Sequence, residues 1–150
     1  MVIQGEKTMK IALGGDHAGY EYKKEIIALL KIKGIEITDF GPFNSESCDY
    51  PDFIHPVATA IENEECDLGI IICGSGNGIA ITANKHQEIR CAVAWDVELA
   101  ELARTHNDAN IVAIPARFVT LEKAKMICES FLRTPFEGGR HQSRVDKIRC

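Results

Sequence analysis

A chain of 150 residues, 45% hydrophobic and 26% charged, has the size and mix of one ordinary globular domain. A net charge of −5 argues against a nucleic-acid partner, and no apolar run reaches the roughly 18–20 residues of a membrane span. Residues 1–8 lack the apolar stretch of a signal peptide, so they read as a loose extension before a domain over 9–150, and the protein is expected in the cytoplasm.

Short apolar runs alternate with amphipathic stretches, the pattern of repeated βαβ units. Residues 10–14 form a first strand that runs into glycine. A helix over 20–33 follows, with Ile26, Ile27, Leu29 and Leu30 on its apolar side and Gly34 as its stop. Residues 36–40 make a second strand. The stretch 41–51, rich in Gly, Pro, Asn, Ser and Asp, is a loop, and 52–64 a helix. Residues 68–73 are apolar almost throughout, as a central parallel strand covered on both faces requires. The glycine-rich segment 74–78 precedes a short helix over 79–85. A strand at 91–94 and a helix over 96–105 follow, with Asp96 as N-cap. A last strand at 110–114 leads to a helix over 120–132, capped by Thr120. Together they predict a single doubly wound (Rossmann-like) α/β three-layer sandwich around a five-stranded parallel sheet.

In such sheets ligands bind beyond the carboxyl ends of the strands. Asp16 and His17 follow the first strand. Cys73-Gly74-Ser75-Gly76-Asn77-Gly78 closes the third, His106 and Asn107 precede the last, and Arg117 follows it. The tail adds Arg140, His141 and Arg144. These groups are expected to gather around the glycine-rich turn. Glycines let backbone N–H groups approach a ligand, and a turn that opens a helix aims free N–H groups at an anion. The spacing Gly74-x-Gly76-x-Gly78 is not the dinucleotide fingerprint, although Asp39 lies about 20 residues past Gly19, where a ribose-binding acid would sit. Cys73 stands at the mouth of the turn. Free N–H groups there would hold its thiolate and lower its pKa, making it a base; on position alone, a small buried hydrophobe fits equally well. Asp16 fits a helix cap as well as an acid, and the arginines fit solvated charge. The six cysteines include no C-x-x-C pair, so reduced thiols are expected, with neither disulfides nor a metal site.

Taken together, Gly14-Gly15-Asp16-His17-Ala18-Gly19, Ser47-Cys48-Asp49-Tyr50-Pro51, Ile72-Cys73-Gly74-Ser75-Gly76-Asn77-Gly78, Ala83-Asn84-Lys85, His106-Asn107-Asp108, Lys123-Ala124-Lys125 and Glu137-Gly138-Gly139-Arg140-His141-Gln142 resemble the type B ribose-5-phosphate isomerases, which belong with the galactose-6-phosphate isomerase subunits. The resemblance runs from about residue 9 to 148. It implies an aldose–ketose isomerase of pentose phosphate metabolism acting on ribose 5-phosphate and ribulose 5-phosphate through an enediolate, with no cofactor. On this resemblance Cys73 is the carbon base, and Ile79 stands where the other branch of the family has a glutamate. His106 opens the sugar ring, with Asn107 beside it. Asp16 handles protons on the oxygens, and Ser75 with Gly74, Gly76, Asn77 and Gly78 cradles the enediolate. His17 and Tyr50 touch substrate; Arg117, Arg140, His141 and Arg144 face the phosphate. The resemblance further implies a homodimer with sites built from both subunits; a tetramer stays open. Allose 6-phosphate and galactose 6-phosphate are the alternative substrates. The galactose enzymes use two different subunits, whereas this chain carries the full residue set. A non-enzymatic anion- or nucleotide-binding module would use the same turn and arginines without needing Cys73 or His106. The basic tail has no interleaved aromatics and does not read as a nucleic-acid contact.

Overall fold

Five strands pair side by side in parallel because every βα connection is long enough to return the chain to the same edge. They are β1 (Lys10–Gly15), β2 (Glu36–Asp39), β3 (Leu68–Cys73), β4 (Cys91–Val93) and β5 (Ile111–Pro115), in the order β2-β1-β3-β5-β4. The computed structural model describes residues 3–4 and 7–150. The chain reverses direction across the sheet between β1 and β3, the place where such folds open a crevice.

Strand side chains alternate between two helical layers. Ile70 and Ile72 of β3 join a core built with Leu13, Ile26, Leu30, Val112, Ile127 and Phe131, under α1 (Tyr20–Ile32) and α5 (Leu121–Arg133). α4 (Val97–Thr105) adds Ala100 and Ala103 on the same side. Ile71 and Cys73 point the other way, into a core with Ala12, Ile54, Val57, Ile79 and Ala113 under α2 (Pro51–Glu62) and α3 (Asn77–Ala83). The architecture is the expected three-layer sandwich, and Cys73 belongs to the α2/α3 side.

Local signals act where expected. The Thr120 side chain accepts from Lys123 N–H, and the Asp96 carboxylate accepts from Val97 N–H. α2 begins one residue early, with Pro51 in its first turn, where a missing N–H does no harm. α3 starts at Asn77 rather than at residue 79, because Gly76 at φ 81° supplies the left-handed turn before it.

Two segments are more structured than expected. Ile3–Gln4 pairs antiparallel with Lys7–Thr8, so the extension holds a small ladder; its remaining positions 1, 2, 5 and 6 lie outside the described residues. The tail forms a 3-10 turn (Gly139–His141) and α6 (Gln142–Asp146). Only Val145 of α6 is buried, so the segment shows no helical period in its sequence. No helix among the described residues is long and apolar enough to cross a membrane.

Candidate active site

The first group of polar residues sits at the carboxyl edge of the sheet. β1 ends in Gly15, and Asp16 then caps a 3-10 turn (His17–Gly19), its Oδ1 accepting from Ala18 N–H at 2.9 Å and Gly19 N–H at 3.1 Å. Asp16 N–H donates to Ile72 O at 3.2 Å, which ties this turn to the residue before Cys73. The loop over 41–50 folds back over the same edge. Cys48 N–H reaches His17 Nδ1 at 3.4 Å, and the Tyr50 ring lies against Gly78, where a Cβ would fall 2.5 Å from Tyr50 Cζ. From the far side, Arg117 covers Gly74: a Cβ there would meet its guanidinium at 3.1 Å. Arg117 N–H donates to Gly74 O and Ala116 N–H to Cys73 O, so β5 holds the turn in place.

Cys73 lies at the centre of this ring and is 6% exposed. Its sulfur accepts from Gly76 N–H at 3.1 Å. Burial pushes the thiol pKa above its ordinary value. The Gly76 N–H pulls it down, the Asp16 charge pushes it up, and the Ser75 and Ile79 N–H groups pull it down again. The net direction is upward, which corrects the expectation of a lowered pKa: desolvation outweighs the turn's N–H groups. Ser75 is exposed at the rim, its Oγ accepting weakly from Asn77 N–H at 3.3 Å.

The second group is elsewhere. His106 caps the C-terminus of α4, half-buried, with Asn107 exposed beside it. His141 stacks on His106 with ring centroids 4.2 Å apart and planes 17° apart. Glu137 N–H donates to Thr105 O at 3.1 Å and fastens the tail there. Arg140 and Arg144 project into solvent with no ion-pair partner among the described residues. His141 is 5% exposed, and its Nε2 has no hydrogen-bond partner; Glu137 Oε1 stands 3.5 Å away.

The two groups occupy opposite edges of the sheet. β5 runs parallel to β3 with Ile111 beside Gly69 and Pro115 beside Cys73. At about 3.3 Å per residue, that places the start of β5 about 13 Å below the level of Cys73, and His106 and Asn107 precede that start. Asp16, His17, Tyr50, Cys73, Gly74, Ser75, Gly76, Asn77, Gly78 and Arg117 therefore come together, while His106, Asn107, Arg140, His141 and Arg144 do not join them within one chain. The expectation of one gathering is corrected. A residue that follows a helix and precedes a parallel strand lies at the amino edge, because crossover helices run antiparallel to the strands they connect.

His106, Glu137 and His141 present atoms within 4.8 Å of one another that suit a metal ion by type. Their geometry does not. Nearly parallel rings have in-plane lone pairs that do not converge on one point, as tetrahedral ligation needs. A pocket of about 640 Å³ opens at the same amino edge beside Met9, Cys66 and Asn110. Its Arg90 and Arg104 are both paired with Asp108, so among the described residues lining it no cation is left free for an anion. Asp39 serves the fold: its Oδ1 accepts from Lys23 Nζ and Gly41 N–H. Sequence alone does not mark Cys48 as the neighbour of His17 or Glu137 as the neighbour of His141, because nothing in their spacing shows them as contacts.

Known proteins resemble this chain over nearly its full length. The family model described as Ribose/Galactose Isomerase matches residues 11–148. Ribose-5-phosphate isomerase B of Escherichia coli is 48% identical over 139 residues, covering 93% of each chain. Among solved structures, a ribose 5-phosphate isomerase from Thermotoga maritima superposes with a TM-score of 0.93 at 44% identity, covering 95% of this chain and 99% of that one. Ribose-5-phosphate isomerase B from Mycoplasma genitalium, solved with bound ribulose-5-phosphate, gives a TM-score of 0.89 at 42% identity over 93% of each chain.

Proposed function

The chain belongs to the ribose/galactose isomerase family, and from that premise we propose that it interconverts ribose 5-phosphate and ribulose 5-phosphate at a site completed by a second copy of itself. The observation that carries the second half is the separation just described. A thiol, an acid and an oxyanion cradle lie at one edge of the sheet. Two histidines and two exposed arginines, Arg140 and Arg144, lie at the other. Neither set suffices for a sugar phosphate. A two-fold pairing that brings one copy's amino edge to the other's carboxyl edge makes two complete sites. Exposed Phe43, Trp95 and Phe118, each just beyond the carboxyl end of a strand, offer apolar surface for such a pairing.

The chemistry follows from the residue types. His106 takes the proton of the anomeric hydroxyl as the C1–O1 double bond forms and the C1–O4 bond breaks, and its imidazolium gives that proton to O4, which leaves as the free hydroxyl. Cys73, as thiolate, removes the proton at C2, and the electron pair of that bond forms the C1–C2 double bond while charge moves onto O1. Backbone N–H groups of the turn over 74–78 and the Ser75 hydroxyl stabilise this oxyanion; one preorganised donor of that kind is worth about 2.7–4 kcal/mol. Asp16 moves a proton between O2 and O1, and the Cys73 thiol returns its proton to C1. No net electrons leave the sugar. Arg140, Arg144 and His141 from the second copy, with Arg117, bind the phosphate; its remote binding energy orients the reacting carbons. The buried His141 Nε2, without a partner in the single chain, fits a ligand oxygen.

A raised thiol pKa is compatible with this role. It leaves less thiolate at neutral pH, but each thiolate is a stronger base toward a carbon acid.

The test is complementation between inactive variants. Cys73→Ala and His106→Ala are each inactive on ribose 5-phosphate. Unfolded and refolded together in equal amounts, they recover about a quarter of wild-type turnover, because half the dimers are mixed and each mixed dimer has one intact site. No recovery from a demonstrably mixed dimer would refute a shared site. Wild-type turnover of a hexose 6-phosphate in place of the pentose would keep the mechanism and change the substrate.

A further inference from the structure

α1 buries a charge on its apolar stripe. Lys23 stands three residues before Ile26 and seven before Leu30, and all three face inward; Lys23 is 1% exposed. Helical period alone predicts an apolar residue there. Its ammonium group is instead held by two short contacts, Asp39 Oδ1 at 2.6 Å and Pro42 O at 2.7 Å, and stands 5.5 Å from the centre of the Phe43 ring.

These partners all belong to the exit of β2. Asp39 Oδ1 also accepts from Gly41 N–H at 2.9 Å. Gly41 O accepts from Gly15 N–H at 3.1 Å, and Phe40 N–H donates to Leu13 O at 2.8 Å. One buried cation thus ties the first residues of the loop over 41–50 to α1, beside the backbone bonds that fix them to the end of β1, immediately before Asp16. The far end of that loop brings Cys48 to His17 and Tyr50 onto Gly78. Residues 43–47 between these anchors are exposed. The loop is therefore held at its two ends, and at the first of them Lys23 adds the side-chain anchor that holds Asp39 and the Pro42 carbonyl.

A buried ion pair is a poor source of stability, since apolar residues of similar volume often serve as well or better. Its geometric effect is more specific: an ammonium with two fixed acceptors defines where Asp39 and the Pro42 carbonyl must stand. We propose that Lys23 is a positioning residue for the sugar-phosphate site, acting through loop 41–50 to hold Tyr50 and the His17 contact over the glycine turn. The proposal rests on the isomerase reading for its kinetic consequence and on the contacts alone for its effect on the loop.

Two variants separate position from stability. Lys23→Met leaves the Asp39 carboxylate without its buried partner and is expected to lose stability as well as loop order. Lys23→Met combined with Asp39→Asn leaves no unpaired charge and keeps an acceptor for Gly41 N–H, so it recovers stability. Loop order is still lost. In the double variant KM for ribose 5-phosphate is expected to rise about tenfold while kcat stays within about threefold, because the loop touches substrate and the Cys73 turn is held independently by β5. Backbone amide exchange over 43–48 should rise in the same protein while β3 stays protected. A folded double variant with wild-type KM and wild-type exchange over 43–48 would overturn the proposal and leave Lys23 as core packing. Should neither Lys23 variant fold, Asp39→Asn alone serves: a smaller KM increase in the same direction is expected, and none would overturn the proposal. If the wild-type protein turned over no sugar phosphate, the isomerase reading would fall, and exchange over 43–48 would still decide whether Lys23 holds the loop.

Discussion

Gly19 presses against the central strand more closely than any side chain allows. A Cβ built at this position would fall 2.2 Å from Ile72 O, 2.6 Å from Ile72 C and 2.9 Å from Ile72 Cγ2. C–H groups approach carbonyl oxygens at about 3.3–3.6 Å, so in Gly19→Ala the two backbones must separate by about 1.1–1.4 Å. β3 has little freedom to retreat, being buried along its whole length and paired on both sides. Overpacking of a core costs about 1–3 kcal/mol, and weakening the Asp16 cap, which takes Gly19 N–H at 3.1 Å, adds about 0.5–2 kcal/mol. A loss of about 1.5–5 kcal/mol is expected, a large part of the 5–15 kcal/mol typical of a domain. Urea unfolding at fixed protein concentration reads this out. With a slope of about 1–3 kcal/mol/M, the midpoint should fall by about 0.5 M or more without a change of slope. A midpoint within error of wild type would show that the 3-10 turn and β3 separate freely, and the account of this edge as a rigid platform for Asp16 and Cys73 would fail.

Three further outcomes are expected. Because burial raises the Cys73 thiol, kcat/KM should climb about tenfold per pH unit between pH 6 and 8, below the ordinary thiol value of about 8.5; a flat profile there would exclude this thiol as the titrating base, and Cys73→Ser should lower kcat by about 10²–10⁴ with little change in KM. The fully buried Cys128 thiol is likewise raised by desolvation, so its contribution to stability is complete below the unfolded-state value of about 8.5 and is lost as pH rises toward the folded value; Cys128→Ala should flatten the fall of unfolding free energy above pH 9 by about 1.4 kcal/mol per pH unit, and an unchanged slope would contradict the burial argument. Arg140→Ala should raise KM for ribose 5-phosphate about 10–100-fold, the worth of a charge-assisted hydrogen bond of about 1.5–3 kcal/mol, and an unchanged KM would remove Arg140 from the phosphate end.

Much of this molecule is legible along the chain because its causes are local. The continuous apolar run Leu68–Cys73 announces a strand covered on both faces, and that strand is buried throughout. Thr120 and Asp96 cap the helices they precede. The glycines after β3 mark a turn that needs a left-handed residue, which Gly76 supplies. Strand–helix alternation leads to the parallel three-layer sandwich, since only a crossover helix returns a chain to the same edge of a sheet.

Other features depend on groups far apart in sequence. Which edge of the sheet a residue occupies follows from chain direction through the crossover, so His106 and Cys73, both next to strands, end on opposite edges. The Cys73 pKa is a balance between burial on the α2/α3 side and N–H groups of one turn; the sequence shows the turn, and only packing supplies the larger effect. Lys23 sits at an apolar helical position, and its acceptors arrive from the end of β2 and the loop beyond it. Local periodicity specifies the elements, because backbone hydrogen bonds and side-chain spacing act over a few residues. Their register against one another fixes every long-range contact, and with it the desolvation and pairing that give the same side chains different chemistry.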